Sequence, residues 1–222
     1  GKLYSKRLLR LVKLEPNLDL YLNTHATGVK MKKTSQIDAV LAIDVRTGKR
    51  MCFPGKIFID CSGDSTVAVS ARAEYRHGKE SKSMHNEPWA PDVTSKHTMG
   101  NGLKFYPVDT DEIQDFESPP WIYKFPECSS FGPGRHPNLD GSIGGGDMGS
   151  QWKLELGGTR DTYADAEEIR DDLFRLVYGV WDHLKNHCKE NDTKASTYKL
   201  GWVGYVAGKR ESRRLIGDYI LT

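Results

Sequence analysis

Lys56-Ile57-Phe58-Ile59-Asp60 is a short apolar run, preceded by Gly55 and followed by Cys61-Ser62-Gly63-Asp64. A run this short and this apolar suits a strand buried on both faces, and such strands belong to parallel sheets covered by helices. The run therefore predicts an α/β fold. It also predicts where a ligand sits, because open α/β sheets bind ligands just beyond the carboxyl ends of their strands. Cys61 and Ser62 are small, and Gly63 can take positive φ without steric cost, so a ligand can approach this backbone closely. A plain strand-to-loop turn accounts for the same residues.

The rest of the chain supplies elements around that strand. Residues 5–14 place leucines and basic residues at helical spacing, and Pro16 ends the run. Leu18, Leu20 and Leu22 alternate, which predicts a strand over 18–24. Further strands are expected at 29–31, 36–45 and 50–53, with Thr47-Gly48 as a turn, making a small antiparallel meander. Residues 66–75 are rich in Ala and Val and suit a helix. Most of the prolines and many glycines fall in 76–160, which predicts loops with short strands at 103–106 and 151–156. The best helix covers 162–188, with Ala166, Ile169, Leu173, Leu176, Val177, Val180, Leu184 and Cys188 on one face. Thr162 and Asp165 have the spacing of a capping box.

Composition narrows the function classes. With 37% hydrophobic and 28% charged residues, the 222-residue chain reads as a soluble globular protein. A formal net charge of +2 gives no bulk argument for a nucleic-acid or membrane partner. No apolar run approaches the roughly 20 residues that span a bilayer. The four cysteines form no C-x-x-C and match no zinc spacing, so they read as reduced, partly buried thiols of an intracellular protein. The default location is the cytoplasm. His183 and His187 stand four apart on the predicted helix, but the metalloprotease Glu is missing between them, and a solvated helix face is the simpler reading. No metal is expected. Cys61 lacks a partner at redox-pair spacing. Lys209, Arg210, Arg213 and Arg214 form a basic cluster without interleaved aromatics, unlike a nucleic-acid surface. Nearby acids such as Glu211 and Asp218 can pair with it.

Several of these segments together resemble flavin-dependent oxidoreductases with the glutathione-reductase-type FAD domain. Cys61-Ser62-Gly63-Asp64 is similar to the family's Ala-Thr-Gly-Asp strand end. Leu22-Asn23-Thr24-His25-Ala26-Thr27-Gly28-Val29 resembles the strand end whose backbone meets the adenine. Gly208-Lys209-Arg210-Glu211-Ser212-Arg213-Arg214 resembles a segment near the return to the FAD domain. The resemblance covers most of the chain and is loosest over 76–140. It implies a partial FAD/NAD(P)-binding doubly wound domain with a β-meander insertion, and a larger α+β substrate domain. On this reading residues 1–75 belong to the FAD-binding domain with the meander at about 27–53, residues 76–200 form the substrate domain, and 201–222 return to the first. It implies FAD as cofactor, bound near Ala26, Cys61, Ser62, Gly63 and Asp64. It also implies that Arg210 or Arg213 faces the flavin or an anionic substrate.

The family opens on a strand, G-x-G-x-x-G and a helix, which together hold the pyrophosphate. No such unit is legible here. The glycine-rich run 141–149 has no strand before it and no clear helix after it, and reads as a loop. The chain is therefore expected to be a piece of a flavin enzyme acting on a small organic substrate, with the rest of its own chain as a partner. The alternative is a truncated chain or substrate-binding module without cofactor or activity of its own.

Overall fold

The computed structural model describes residues 2–132, 137, 154–188, 195–210 and 212–220. The chain divides into two compact units, Gly1–Tyr75 and Arg76–Thr222. Helices and strands are mixed in both.

The first unit opens on helix α1 (Lys2–Lys13), with Arg10 and Lys13 in its last turn, where the helix dipole favours cations. Strands β1 (Thr24–Lys33), β2 (Gln36–Asp44) and β3 (Arg50–Pro54) come next as an antiparallel sheet in the order β1-β2-β3. This is the antiparallel meander expected from residues 29–31, 36–45 and 50–53, with β1 longer than expected. Asp44 builds its second turn: Oδ1 accepts the backbone N–H groups of Arg46 at 2.9 Å and Thr47 at 3.1 Å. A short helix, α2 (Thr66–Ser70), packs against β1. Among the described residues, the buried apolar side chains of this unit are Ala39 and Ala42.

Two expected strands do not form. Segments 18–22 and 57–60 belong to no sheet among the described residues. Leu18, Leu20 and Leu22 are exposed, and Ile57 and Ile59 are 84% and 85% exposed. The expected parallel pair of these segments is thus not formed, and every pairing whose register is described is antiparallel. The reason is physical. Alternation and apolar runs record a side chain's preference for burial, but a doubly buried strand also needs neighbours on both sides. Nothing local supplies them.

Beyond Ile59 the chain folds into a turn around one carboxylate. Asp60 Oδ1 accepts the N–H of Ser62 and Oδ2 that of Ala68, both at 3.0 Å, while Ser62 Oγ accepts the N–H of Thr66 at 2.9 Å. Partial burial pushes the Asp60 carboxyl up, but the N–H groups of Ala68, Ser62 and Val67 outweigh it and hold it below the usual range. A folded value below the unfolded one means that the stabilisation is complete above the ordinary pKa of about 4. It is lost as pH falls through the lower folded value. In a carboxyl carbon-13 NMR titration Asp60 is expected to titrate at lower pH than a blocked aspartyl peptide. Titration at the peptide's pH would show that the turn is not closed.

The second unit holds the core. Helix α3 (Lys82–His85) is a single turn, and α4 (Ala166–Asp182) is the long helix. The face that spacing predicts is buried: Ile169, Leu173, Val177 and Val180, then Leu184 and Cys188 beyond the helix end. Leu103, Phe105, Leu154 and Trp181 complete the cluster. Strand β4 (Tyr75–His77) pairs with β9 (Arg213–Leu215), β5 (Asn101–Gly102) with β7 (Glu155–Leu156), and β6 (Phe105–Asp109) with β8 (Tyr198–Val203). Glu80 sits between Arg76 at 2.9 Å and Arg214 at 3.5 Å, tying the residues flanking β4 to β9. Ahead of α4, Asp161 Oδ1 accepts the N–H groups of Tyr163 and Ala164 at 2.9 and 3.0 Å. Asp165 Oδ2 answers by accepting the N–H of Asp161 at 3.2 Å. Thr162 is buried.

Segment 121–131 runs along α4. The N–H of Tyr123 donates to the carbonyl of Arg175 at 3.2 Å, and His183 Nδ1 lies 2.7 Å from the carbonyl of Phe125. The approach is close enough that a Cβ on Gly179 would stand 2.2 Å from the Tyr123 oxygen.

Candidate functional site

In the second unit, β5, the start of α4 and the loop after β8 enclose a cavity of about 160 Å³, lined by Asn101, Glu167, Arg170, Tyr205 and Lys209 among others. The loop after β8 is clipped in place by backbone bonds. Gly102 and Gly208 exchange N–H to carbonyl bonds at 2.9 and 2.7 Å, and the N–H of Gly204 donates to the Lys104 carbonyl at 2.6 Å. This fixes Tyr205 over α4. The Arg170 guanidinium lies 4.6 Å from the Tyr205 ring centre and donates from Nη1 to the Tyr205 hydroxyl at 3.0 Å.

Arg170 is firmly held. Its side chain is 13% exposed and is hydrogen-bonded to both Glu167 and Asp171. The Asp171 bond, opposed by burial and joined by Glu167, raises the guanidinium pKa further, so the charge is permanent. Asn101 is the unusual member. It is 1% exposed, and among the described residues neither Oδ1 nor Nδ2 has a hydrogen-bond partner. A buried polar atom without a partner costs roughly 1–3 kcal/mol. Both amide atoms are shut off from solvent, so a polar guest that donates and accepts would meet them only after the covering side chains move. At about 160 Å³ the cavity is smaller than the roughly 300–1,000 Å³ of sites for drug-sized ligands, so it suits a small polar group.

The residues expected to form the site fall in both units. Arg210 is exposed. Arg213 lies with its guanidinium 3.8 Å from the centre of the Tyr163 ring, and Lys209, from the cavity wall, lies 4.9 Å from the same ring. Arg213 is thereby linked to the cavity through one shared aromatic. Arg214 ion-pairs with Glu80. Of the acids expected to pair with this cluster, Glu211 lies outside the described residues, as does the glycine-rich run 141–149.

Ala26, Cys61, Ser62, Gly63 and Asp64 lie in the first unit. Ala26 sits on β1, opposite Ala42 of β2. Since β1 is the edge of its sheet, half of its backbone groups face away from β2. A groove of about 460 Å³ lined by Thr27, Leu41, Ala42, Ile43, Arg50 and Met51 lies beside it. Cys61, Ser62 and Gly63 are exposed. Gly63 has φ +85°, and a Cβ there would meet nothing within 4 Å, so the backbone is open to close approach. The loop leads into α2, which packs on β1, so both elements belong to one small structure.

Asn101, Arg170 and Tyr205 were not legible as site residues. Arg170 reads as a charge on the polar face of an amphipathic helix, and Asn101 stands alone in a loop-rich stretch. The cysteines also differ in kind: Cys52 and Cys61 are exposed, Cys128 is half-buried and Cys188 is buried. No helix among the described residues is long and apolar enough to cross a membrane. Compared with known proteins, the chain matches the model of a family described as FAD dependent oxidoreductase over residues 2–222. No curated protein and no solved structure matches it.

Proposed function

This chain belongs to the family of FAD-dependent oxidoreductases, and from that premise we propose that it helps to transfer a hydride or electron pair between flavin and a small polar organic substrate. The cofactor, when bound, supplies the redox chemistry, and the protein supplies position and electrostatics. The backbone near Ala26 and the loop Cys61–Asp64 take the adenine side. The cavity of the second unit takes the substrate's polar group. Asn101 donates and accepts there once a guest displaces the side chains that cover it, Arg170, already bonded to Glu167 and Asp171, favours a neutral polar group over an anion, and Tyr205 holds Arg170 in place. The observation that carries this assignment is Asn101, a residue that lines the cavity and whose buried amide has no partner among the described residues.

The finer arrangement is also a proposal. Segments 18–22 and 57–60, which form no strand here, would join a doubly wound sheet if partner strands packed beside them. Their exposed leucines and isoleucines support this. Arg213 is the arginine of the basic segment placed to reach substrate, because it shares Tyr163 with Lys209.

Titration with FAD tests the cofactor half. The 222-residue chain taken alone is expected to bind FAD with a Kd above about a micromolar. The first turn of α4 carries Glu167 and Glu168, which repel a pyrophosphate from that helix end. Charge-assisted hydrogen bonds are worth roughly 1.5–3 kcal/mol each, and about 1.4 kcal/mol is tenfold in affinity. Backbone contacts on the adenine side cannot replace several of them. Flavin fluorescence read during the titration decides it, and submicromolar binding would overturn this division of roles. Oxidised-flavin absorption in the protein isolated from its source, bleached on adding substrate, tests the activity.

A further inference from the structure

Beyond the flavin chemistry, we infer that Cys128, His183 and Cys188 form a zinc site in the core of the second unit. One ligand atom from each lies within 4.8 Å of the others, and the two sulfurs are 4.0 Å apart. Two sulfurs bound to one zinc at about 2.3 Å and a tetrahedral angle stand about 3.8 Å apart. A disulfide instead requires about 2.0 Å. The sulfur spacing is close to that of two ligands, and the His183 nitrogen, within 4.8 Å, closes to about 3.5 Å when all three hold one ion.

The local backbone is shaped for this. At His183–His187 the helix leaves the α pattern for a π turn, and the N–H of Cys188 donates to the carbonyl of His183 at 2.8 Å. In an α-helix residues five apart point about 140° away from each other. In a π turn they are one hydrogen-bonded turn apart and share a face; such turns are rare and concentrate at functional sites. The π turn is therefore what brings Cys188 beneath His183. Cys128 arrives on a 3-10 turn, Cys128–Phe131, carried by the segment that crosses α4 at Gly179.

The tautomer of His183 suits a ligand. Its Nδ1 lies 2.7 Å from the Phe125 carbonyl, and a carbonyl only accepts, so Nδ1 carries the proton and Nε2 the lone pair. A backbone carbonyl holding the other ring nitrogen is the usual support of a metal-bound histidine. Phe131 packs edge-on against the ring at 4.8 Å, and His183 and Cys188 are fully buried. Charge then selects the ion. Two thiols lose two protons on binding, and Zn²⁺ with two thiolates and a neutral imidazole sums to zero, which a buried site tolerates. Three protein ligands leave one tetrahedral position for water or another donor. Spacing along the chain hid this set, because Cys128 comes from a distant loop. His183 is also not on the solvated helix face where the sequence places it.

The test uses the full chain, reduced and stripped of metal, then titrated with zinc chloride and, separately, cobalt chloride. One equivalent of zinc should be retained through gel filtration. Cobalt should give sulfur-to-metal charge transfer in the near ultraviolet and the strong visible bands of a tetrahedral ion. Cys128→Ser and His183→Ala should lose retention, and Cys52→Ser with Cys61→Ser should keep it. The cobalt spectrum reads the ligands in the unmodified protein, so a variant that fails to fold does not decide the outcome. No retained zinc in the wild type, retention unchanged in Cys128→Ser, or a Cys128–Cys188 disulfide whose reduction yields no metal uptake would each overturn the assignment.

Discussion

Gly179→Ala is expected to destabilise the protein by about 2–3 kcal/mol, read as a lower denaturant midpoint. Two effects of opposite sign compete. Alanine inside a helix is about 1 kcal/mol more favourable than glycine, so α4 by itself gains. Against that, the new methyl stands 2.2 Å from the Tyr123 oxygen and 3.1 Å from the Phe125 ring. The first contact is with backbone, so the whole crossing segment must move. Overpacking of this kind costs roughly 1–3 kcal/mol. The displaced segment also strains the Tyr123–Arg175 hydrogen bond, worth about 1 kcal/mol, and the Phe125 contact to His183. The clash wins. Gly179→Val, larger and β-branched, should abolish cooperative folding of the second unit, seen as a lost near-ultraviolet circular dichroism signal. An unchanged midpoint in the alanine variant would mean that segment 121–131 does not cross the helix at this point.

Asn101→Leu should move stability and binding in opposite directions. Leucine has nearly the shape of asparagine and no polar atoms. In the ligand-free protein the substitution removes two buried groups without partners, so stability should rise by about 1–3 kcal/mol. With substrate present, the same change removes a donor and an acceptor from the cavity wall. The KM should rise about 10–100-fold, since each lost hydrogen bond is worth about 1 kcal/mol and about 1.4 kcal/mol is tenfold. Thermal melting without ligand and steady-state kinetics across small carboxylates and hydroxy compounds check the two halves. A variant that loses stability would show that the amide is satisfied in the native fold. A variant with unchanged KM would place the substrate elsewhere.

The local half of the fold was legible in the sequence. The meander was expected from strands at 29–31, 36–45 and 50–53 and a turn at Thr47-Gly48. The buried face of α4 followed from the spacing of Ile169, Leu173, Val177 and Val180. These features depend on neighbours two to four residues apart, and hydrophobic periodicity and turn chemistry act over that range. The same logic overreached at 18–22 and 57–60. Leu18, Leu20, Ile57 and Ile59 have the pattern of buried strands, but burial also requires partners that the pattern does not contain.

By itself the sequence determined the family, through short segments such as Cys61-Ser62-Gly63-Asp64 whose order and small residues survive whatever surrounds them. It also determined the amphipathic helix on which the core is built. Only the tertiary structure decided which distant side chains meet. Asn101, Arg170, Tyr205 and Lys209 share one cavity because β5, α4 and the loop after β8 converge. Cys128 joins His183 and Cys188 because Gly179 lets a loop cross the helix, and because the helix widens by one π turn. Residues far apart in sequence carry no spacing signal, since their separation is set by how whole elements pack.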